Sequence, residues 1–316
     1  MKINPGLFPD VADALGIGSP AIVEKDVYAV HLLSQISQLS SEAFELVFSG
    51  GTSLAKSHRN MFRMSEDIDI KLVAREEMIA GMSRTALRAA RKEVLIQLEK
   101  IIGSSEHLQL DPAAGVVKRN EYRFAEFTIQ YPRSQRSVAA LRPNLKLDVT
   151  ASELFEPFVA CSVSSLYAEI LQLPPEVPSF PVVGLNSTIC EKLVALLRRT
   201  AHFNRDPSRK DDKTLVRHAY DLHMLASAGY AENTLRNLIS EVVRVDVTQF
   251  GRQHTQFLSN PFTELRYGLT CLFTNPIHRK RYEFFIGPLV YHENPATWDE
   301  ALKTVAELAQ KLLPVE

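Results

Sequence analysis

Two short stretches carry residue types that handle phosphate. In Phe48-Ser49-Gly50-Gly51-Thr52-Ser53-Leu54, consecutive glycines stand where an apolar run breaks into helix-like sequence, and Ser65-Glu66-Asp67-Ile68-Asp69-Ile70 follows. Glycines at a strand-to-helix turn let the backbone approach a phosphate and aim its N–H groups at it, with the Thr52 and Ser53 hydroxyls alongside. Residues i and i+2 of a strand share a face, so Asp67 and Asp69 stand about 6.6 to 7 Å apart, close enough to converge on a shared pair of hard cations. Magnesium suits that donor set. Two-metal phosphoryl or nucleotidyl transfer uses ions about 3.5 to 4 Å apart, one activating the attacking oxygen and one holding the leaving phosphates. Taken singly, a D-x-D on a strand is more often a solvated face and a Gly-Gly turn only a turn. Their order and separation make the joint reading stronger than either.

The elements that must position these residues follow from periodicity. Ser19-Pro20, then Val23, Val27, Val30 and Leu33, gives an N-cap, a proline at the first helical position and an apolar stripe, predicting a helix to about Leu39. Phe44 to Phe48 reads as a strand. From Glu66 to Leu72, Ile68, Ile70 and Leu72 alternate with Asp67, Asp69 and Lys71, a half-buried strand with an acidic face. Leu87, Ala90, Val94, Leu98 and Ile101 predict a long amphipathic helix ending at Gly103, its polar side basic with Arg84, Arg88, Arg91 and Lys92. Tyr122 to Ile129 and Leu145 to Val149 read as strands of a mixed sheet, separated by a polar stretch with Arg133, Arg136 and Arg142. In the second of them Asp148 alternates with apolar neighbours, so a neighbouring strand could aim it at the same metals. An ordinary exposed Asp would look the same.

The fold class is therefore α+β, a mixed-sheet domain over residues 1–172 followed by a mostly helical domain over 173–316. The boundary is set at Leu173-Pro174-Pro175-Glu176-Val177-Pro178-Ser179-Phe180-Pro181, which is expected to hold neither a helix nor a central strand. With 316 residues, 45% hydrophobic and 23% charged, the chain has the profile of a globular protein, which excludes disorder, collagen and coiled coil. Lys plus Arg (36) nearly cancels Asp plus Glu (37), so nucleic-acid binding must rest on local patches. Cys161, Cys190 and Cys271 lie far apart in apolar surroundings, arguing against disulfides and zinc. The histidines show no metal-ligand spacing, and no Walker or G-x-S-x-G sequence is present. With no apolar stretch long enough to cross a bilayer and no signal-peptide pattern, a soluble, cytoplasmic protein without membrane contact is expected.

Gly50-Gly51-Thr52-Ser53-Leu54 followed by Ser65-Glu66-Asp67-Ile68-Asp69 resembles the signature of the AbiEii-type nucleotidyltransferases, a branch of the polymerase-beta-like superfamily that supplies the toxin half of bacterial abortive-infection toxin–antitoxin pairs. Glu24-Lys25-Asp26 is similar to a motif of one subgroup, and Glu191-Lys192-Leu193 with Arg217-His218-Ala219-Tyr220-Asp221-Leu222 matches the later pair of motifs, so the resemblance spans about residues 20 to 225. It implies a polymerase-beta-like core plus a helical half contributing Lys192 and Asp221 to the site, Mg2+ dependence, an NTP donor, a cognate antitoxin and, for MenT-like members, addition of nucleotides to the tRNA 3′ end. A later-strand acid, here Asp148, would help deprotonate the attacking hydroxyl. Many relatives carry Asp where His218 stands, which leaves Asp221 as the only acid of that motif.

The residues of the second half can also be read on their own. Thr188-x-x-Glu191 has the form of a capping box, placing Lys192 one turn inside the positive end of a helix, where a bound triphosphate would make its charge favourable. A solvated lysine is the alternative. Between Lys192 and Arg217 stand eight Lys or Arg against three acids, with His202 and Phe203 available for stacking. That would suit a single-stranded RNA end, or be a flexible polar loop. Arg217 and Asp221 could form only a helix salt bridge. The leading expectation is Mg2+-dependent nucleotide transfer from an NTP to RNA, with Asp67, Asp69 and Asp148 at the metals and Gly50, Gly51, Thr52, Ser53 and Lys192 at phosphates. Transfer to a protein or small molecule, and a catalytically silent RNA- or partner-binding protein, are the alternatives.

Overall fold

The alternation at residues 66–72 becomes a strand with one dry face in the computed structural model, which describes residues 3–58, 61–136, 138–139, 141–208 and 211–314. The chain divides into two compact units, Met1–Val183 and Gly184–Glu316. The first unit begins with α1 (Phe8–Ala14), α2 (Pro20–Ile36), β1 (Phe44–Ser49), α3 (Gly50–Ser53), β2 (Asp67–Ala74), α4 (Glu76–Ile79) and α5 (Arg84–Gly103). It continues with β3 (Gln109–Leu110), β4 (Val116–Arg119), β5 (Phe124–Gln130), β6 (Leu145–Ala151), β7 (Val159–Val163), α6 (Leu166–Ile170) and β8 (Val177–Val182). The eight strands form one mixed sheet in the order β3-β5-β6-β2-β1-β8-β7, with β4 paired to β5. The β2–β6 and β1–β8 pairs are parallel.

Helices cover one face of this sheet. Val30, Leu32, Leu33 and Ile36 of α2 and Val94, Leu95, Leu98 and Ile102 of α5 share a core with Phe48, Ile68, Ile70, Leu72, Phe127, Leu147 and Val149. The intervening residues of β2 and β6, among them Asp67, Asp69 and Asp148, occupy the other face. At about 1.5–3 kcal/mol for each large apolar side chain buried, the shared core fixes which way the carboxylates point. The basic side of α5 is partly occupied: Arg91 is buried and donates to the Glu121 carbonyl at 3.1 Å, Arg84 pairs with Glu121, and Arg88 lies 5.6 Å from the Tyr122 ring centre.

Contrary to expectation, the proline-rich passage does hold a strand inside the sheet. Its pairing with β1 is confined to the Val182 end, opposite Phe48, and a register shift between Cys161 and Val163 interrupts its ladder with β7. The missing N–H groups of Pro178 and Pro181 therefore interrupt few ladder bonds.

The second unit is built from helices: α7 (Leu185–Arg205), α8 (Arg217–Ser227), α9 (Glu232–Phe250), α10 (Thr255–Ser259), α11 (Pro261–Thr274), α12 (Ile277–Leu289) and α13 (Trp298–Leu312). Here α7 starts earlier than the sequence predicts. Gly184 is its N-cap, and the Thr188 hydroxyl donates to the Gly184 carbonyl at 3.0 Å from inside the helix. Thr188-x-x-Glu191 is thus no capping box, and Lys192 lies two turns in, where the dipole no longer distinguishes it. No helix among the described residues is long and apolar enough to cross a membrane.

Candidate active site

Strand register brings the predicted carboxylates together. Asp69 of β2 stands directly beside Asp148 of β6 and Asp67 beside Lys146, while Glu126 of β5 lies opposite Asp148. Neighbouring strands run about 4.8 Å apart, so Asp69 and Asp148 are side by side on the face away from the helical core. On the other side β1 aligns Ser49 with Asp69, and the chain turns at once into α3. Gly50 adopts a φ of +78°, and a Cβ there would fall 2.0 Å from Asp69 Oδ2. One at Gly51 would meet Arg63 Nη2 at 2.6 Å and Ser65 Oγ at 2.9 Å. The two glycines are required: the first for a left-handed turn against a carboxylate, the second for close approach of a buried guanidinium.

Thr52 and Ser53 make hydrogen bonds within the protein. Both are buried; the Thr52 hydroxyl donates to the Asp67 carbonyl and the Ser53 hydroxyl to the Gly50 carbonyl at 2.9 Å. Thr52 ties the glycine turn to β2, and Ser53 closes the turn on itself.

Two of the carboxylates are held by cations from β6 and the segment leading into it. Arg142 Nη2 donates to Asp67 Oδ1 at 2.6 Å, and Lys146 Nζ sits 2.8 Å from Asp148 Oδ2 and 3.0 Å from Glu126 Oε2. Burial pushes the Asp148 carboxyl above the usual carboxylate range, and the charges of Glu126 and Asp67 push the same way against Lys146. Among the described residues no group of three His, Cys, Asp or Glu side chains is poised to hold a metal ion. The donor chemistry nevertheless fits a hard cation, since Asp148 Oδ1 is buried with no hydrogen-bond partner and Asp67 and Asp69 offer carboxylate oxygens on the same face.

Glu24-Lys25-Asp26 on α2 builds the frame around this site. Glu24 accepts from the Ser134 amide at 2.6 Å and the Gln135 amide at 3.3 Å. Fully buried Lys25 donates to Glu66 Oε1 at 2.7 Å and to the Arg142 carbonyl at 2.8 Å. Asp26 pairs with Lys56, just past the glycine turn, and accepts from the Leu166 amide at 2.7 Å. Burial opposes ionisation of Glu66, but Lys25 and Arg142 outweigh it and hold its carboxyl below its ordinary value. Burial likewise lowers the Lys25 ammonium.

In the second unit Lys192 Nζ lies 2.8 Å from Asp221 Oδ2, both side chains nearly inaccessible. Beside them the His218 ring reaches the Lys192 carbonyl at 3.4 Å; burial, then the Lys192 and Arg199 charges, push its pKa down to about 3. His218 is thus a neutral group beside the pair. The basic segment around these residues is largely neutralised within the protein. Arg198 pairs with Asp246, Arg199 with Asp212, and Arg205 with Glu264 at 3.0 Å while lying 4.0 Å from the Tyr267 ring centre. His202 stacks on His254 at 4.5 Å, and Phe203 lies under Arg281 at 5.4 Å, so neither ring is the open platform expected from sequence. Arg209 and Lys210 lie outside the described residues.

Residues 31–304 match the family of nucleotidyl transferase AbiEii toxins of type IV toxin–antitoxin systems. The chain belongs to this family. Its members are nucleotidyltransferases that act as toxins paired with an antitoxin, and the matched span covers the greater part of each unit. The fold is similar to that of MenT4, a nucleotidyltransferase toxin from Mycobacterium tuberculosis. The two are 21% identical with a TM-score of 0.61, over 100% of this chain and 91% of that one. A protein from H. pylori described as a nucleotidyltransferase aligns at 14% identity and a TM-score of 0.39, over 91% of this chain and 92% of that one. No curated protein matches the chain.

Proposed function

We propose that this family member is a cytoplasmic, Mg2+-dependent enzyme that transfers a nucleotide from an NTP to RNA, with the tRNA 3′ end as acceptor. The observation that carries the metal-dependent reading is the alignment of Asp69 with Asp148, with Asp67 on the same face and the Gly50 turn against Asp69. The acceptor hydroxyl oxygen bonds to the α-phosphorus, the bond from that phosphorus to the β-bridging oxygen breaks, pyrophosphate leaves, and the hydroxyl proton passes to Asp148. Asp67, Asp69 and Asp148 would hold the metal, which when bound supplies Lewis-acid polarisation of the phosphoryl oxygens and neutralises charge on the leaving group. The Gly50 and Gly51 amides receive phosphate oxygens. Lys192 and Asp221 enter the proposal through the family motifs that contain them. RNA as acceptor rests on the same resemblance, because the Lys192–Arg217 segment is mostly engaged internally.

Incubating the purified protein with α-labelled NTPs, Mg2+ and total RNA tests this. Label should enter RNA, and Asp67→Asn or Asp69→Asn should abolish transfer while leaving thermal unfolding intact. Wild-type activity in either variant would sink the metal assignment, and label on a protein or small molecule would replace RNA as the acceptor.

A further inference from the structure

Arg142 is placed with more care than a surface ion pair requires. Its amide donates to Glu66 Oε1 at 2.7 Å and its carbonyl accepts from Lys25 Nζ at 2.8 Å, so both ends of one loop residue are gripped by a buried ion pair that is itself closed at 2.7 Å. Burying two charges carries a large desolvation cost, and here the pair also bonds both backbone groups of this one residue. Its side chain is otherwise lightly held. Among the described residues the guanidinium makes one short carboxylate contact, to Asp67, and stands 3.7 Å from Glu66 Oε2, while 44% of the side chain is exposed. Lys146, by comparison, is closed in between Asp148 and Glu126 and is only 28% exposed. A guanidinium carries five donors in a planar fork, so after one bond to Asp67 most of its donor capacity remains for an anion of matching geometry. A phosphate is such an anion.

We propose that Arg142 is a further NTP phosphate-binding residue of this site: the counter-ion of Asp67 in the free protein, and a ligand of the triphosphate once a divalent cation takes Asp67. The inference rests on the metal-dependent reading above. It gives the Lys25–Glu66 pair a task, which is to hold the Arg142 backbone so that its side chain moves between two anions without the loop moving. Mere neutralisation of Asp67 needs no such clamp, because an exposed ion pair forms without its backbone being fixed.

The test uses the full-length protein with Arg142→Ala, Arg142→Lys and Asp67→Asn. Two readouts are compared: Mn2+ binding without nucleotide, by calorimetry, and kcat and KM for the NTP. Removing a competitor of the metal should leave Mn2+ affinity in Arg142→Ala unchanged or up to about fivefold tighter. The loss of charge-assisted bonds to phosphate should lower kcat/KM for the NTP by about 10- to 150-fold. Arg142→Lys, which keeps the charge without the fork, should recover only part, and millimolar guanidinium should partly rescue Arg142→Ala. NTP use within about twofold of wild type in Arg142→Ala overturns the inference, as does a loss of Mn2+ affinity that accounts for the loss of turnover. Failure of the underlying reading shows differently, as a wild-type protein that binds no Mn2+ and an Asp67→Asn variant that transfers normally, and it takes the inference with it.

Discussion

Lys192 and Asp221 meet at 2.8 Å with almost no access to water, so the consequences of removing one are set by what happens to the other. A buried carboxylate loses the ammonium that offsets its desolvation, and Lys192→Met is expected to destabilise the protein by about 3–5 kcal/mol in denaturant unfolding. Adding Asp221→Leu should recover a large part, because an apolar pair of similar volume carries no unpaired charge. A single-variant effect below about 1 kcal/mol would show that the pair does not hold α7 to α8. Activity measured on Lys192 variants must accordingly be referred to the folded fraction, or a folding defect will be read as a phosphate-binding one.

At the scale of elements, the glycine turn between β1 and α3 is where backbone geometry and chemistry meet. Gly50→Ala brings a Cβ to 2.0 Å from Asp69 Oδ2 at a φ of +78°, so the carboxylate must move. A misplacement of about 1 Å is expected to lower nucleotide transfer about 100-fold, whereas the left-handed residue itself costs only about 1–2 kcal/mol of stability. Transfer and unfolding midpoints measured side by side check this, and an active Gly50→Ala would place the chemistry elsewhere. Local pattern alone revealed the turn, the Asp67–Asp69 strand and Asp148, because alternation and breaks are properties of adjacent residues. It did not reveal Arg63, Arg142 or the Lys25–Glu66 pair, whose partners are distant in sequence or lie across a turn. The same blindness made the Lys192–Arg217 segment look like an open cationic surface, since Asp246 and Glu264, which neutralise Arg198 and Arg205, come from helices far downstream. Thr188 and Glu191 misled for the opposite reason: their spacing is common inside helices, and nothing within four residues marks Gly184 as the true start.

For the whole molecule, near-zero net charge conceals many internal pairs whose ionisation ties stability to pH. Burial first, then nearby cations, holds His218 at about 3 and His278 at about 4, and burial lowers His254. The unfolded chain binds protons at these histidines below about pH 6.5 while the folded chain does not, so stability is fully present above that pH and lost as pH falls toward 4 and 3. The lowered carboxyls of Glu66 and Glu264 add loss of the same sign below their ordinary value of 4.5. The melting temperature should therefore drop between pH 7 and 5, and His218→Gln with His278→Gln should flatten the drop; a flat wild-type profile would contradict these assignments. The run Glu24-Lys25-Asp26 has a consequence of another kind, for what lineages of this chain can tolerate. Three successive side chains of one helix each hold a different segment: the loop at Ser134, the strand lead-in at Glu66 with Arg142, and the turn at Lys56 with Leu166. A residue inserted or deleted in the preceding turn of α2 rotates the following residues by about 100° and unhooks all three together. Substitutions along α2 can accumulate one at a time, but its length is inherited as a single unit.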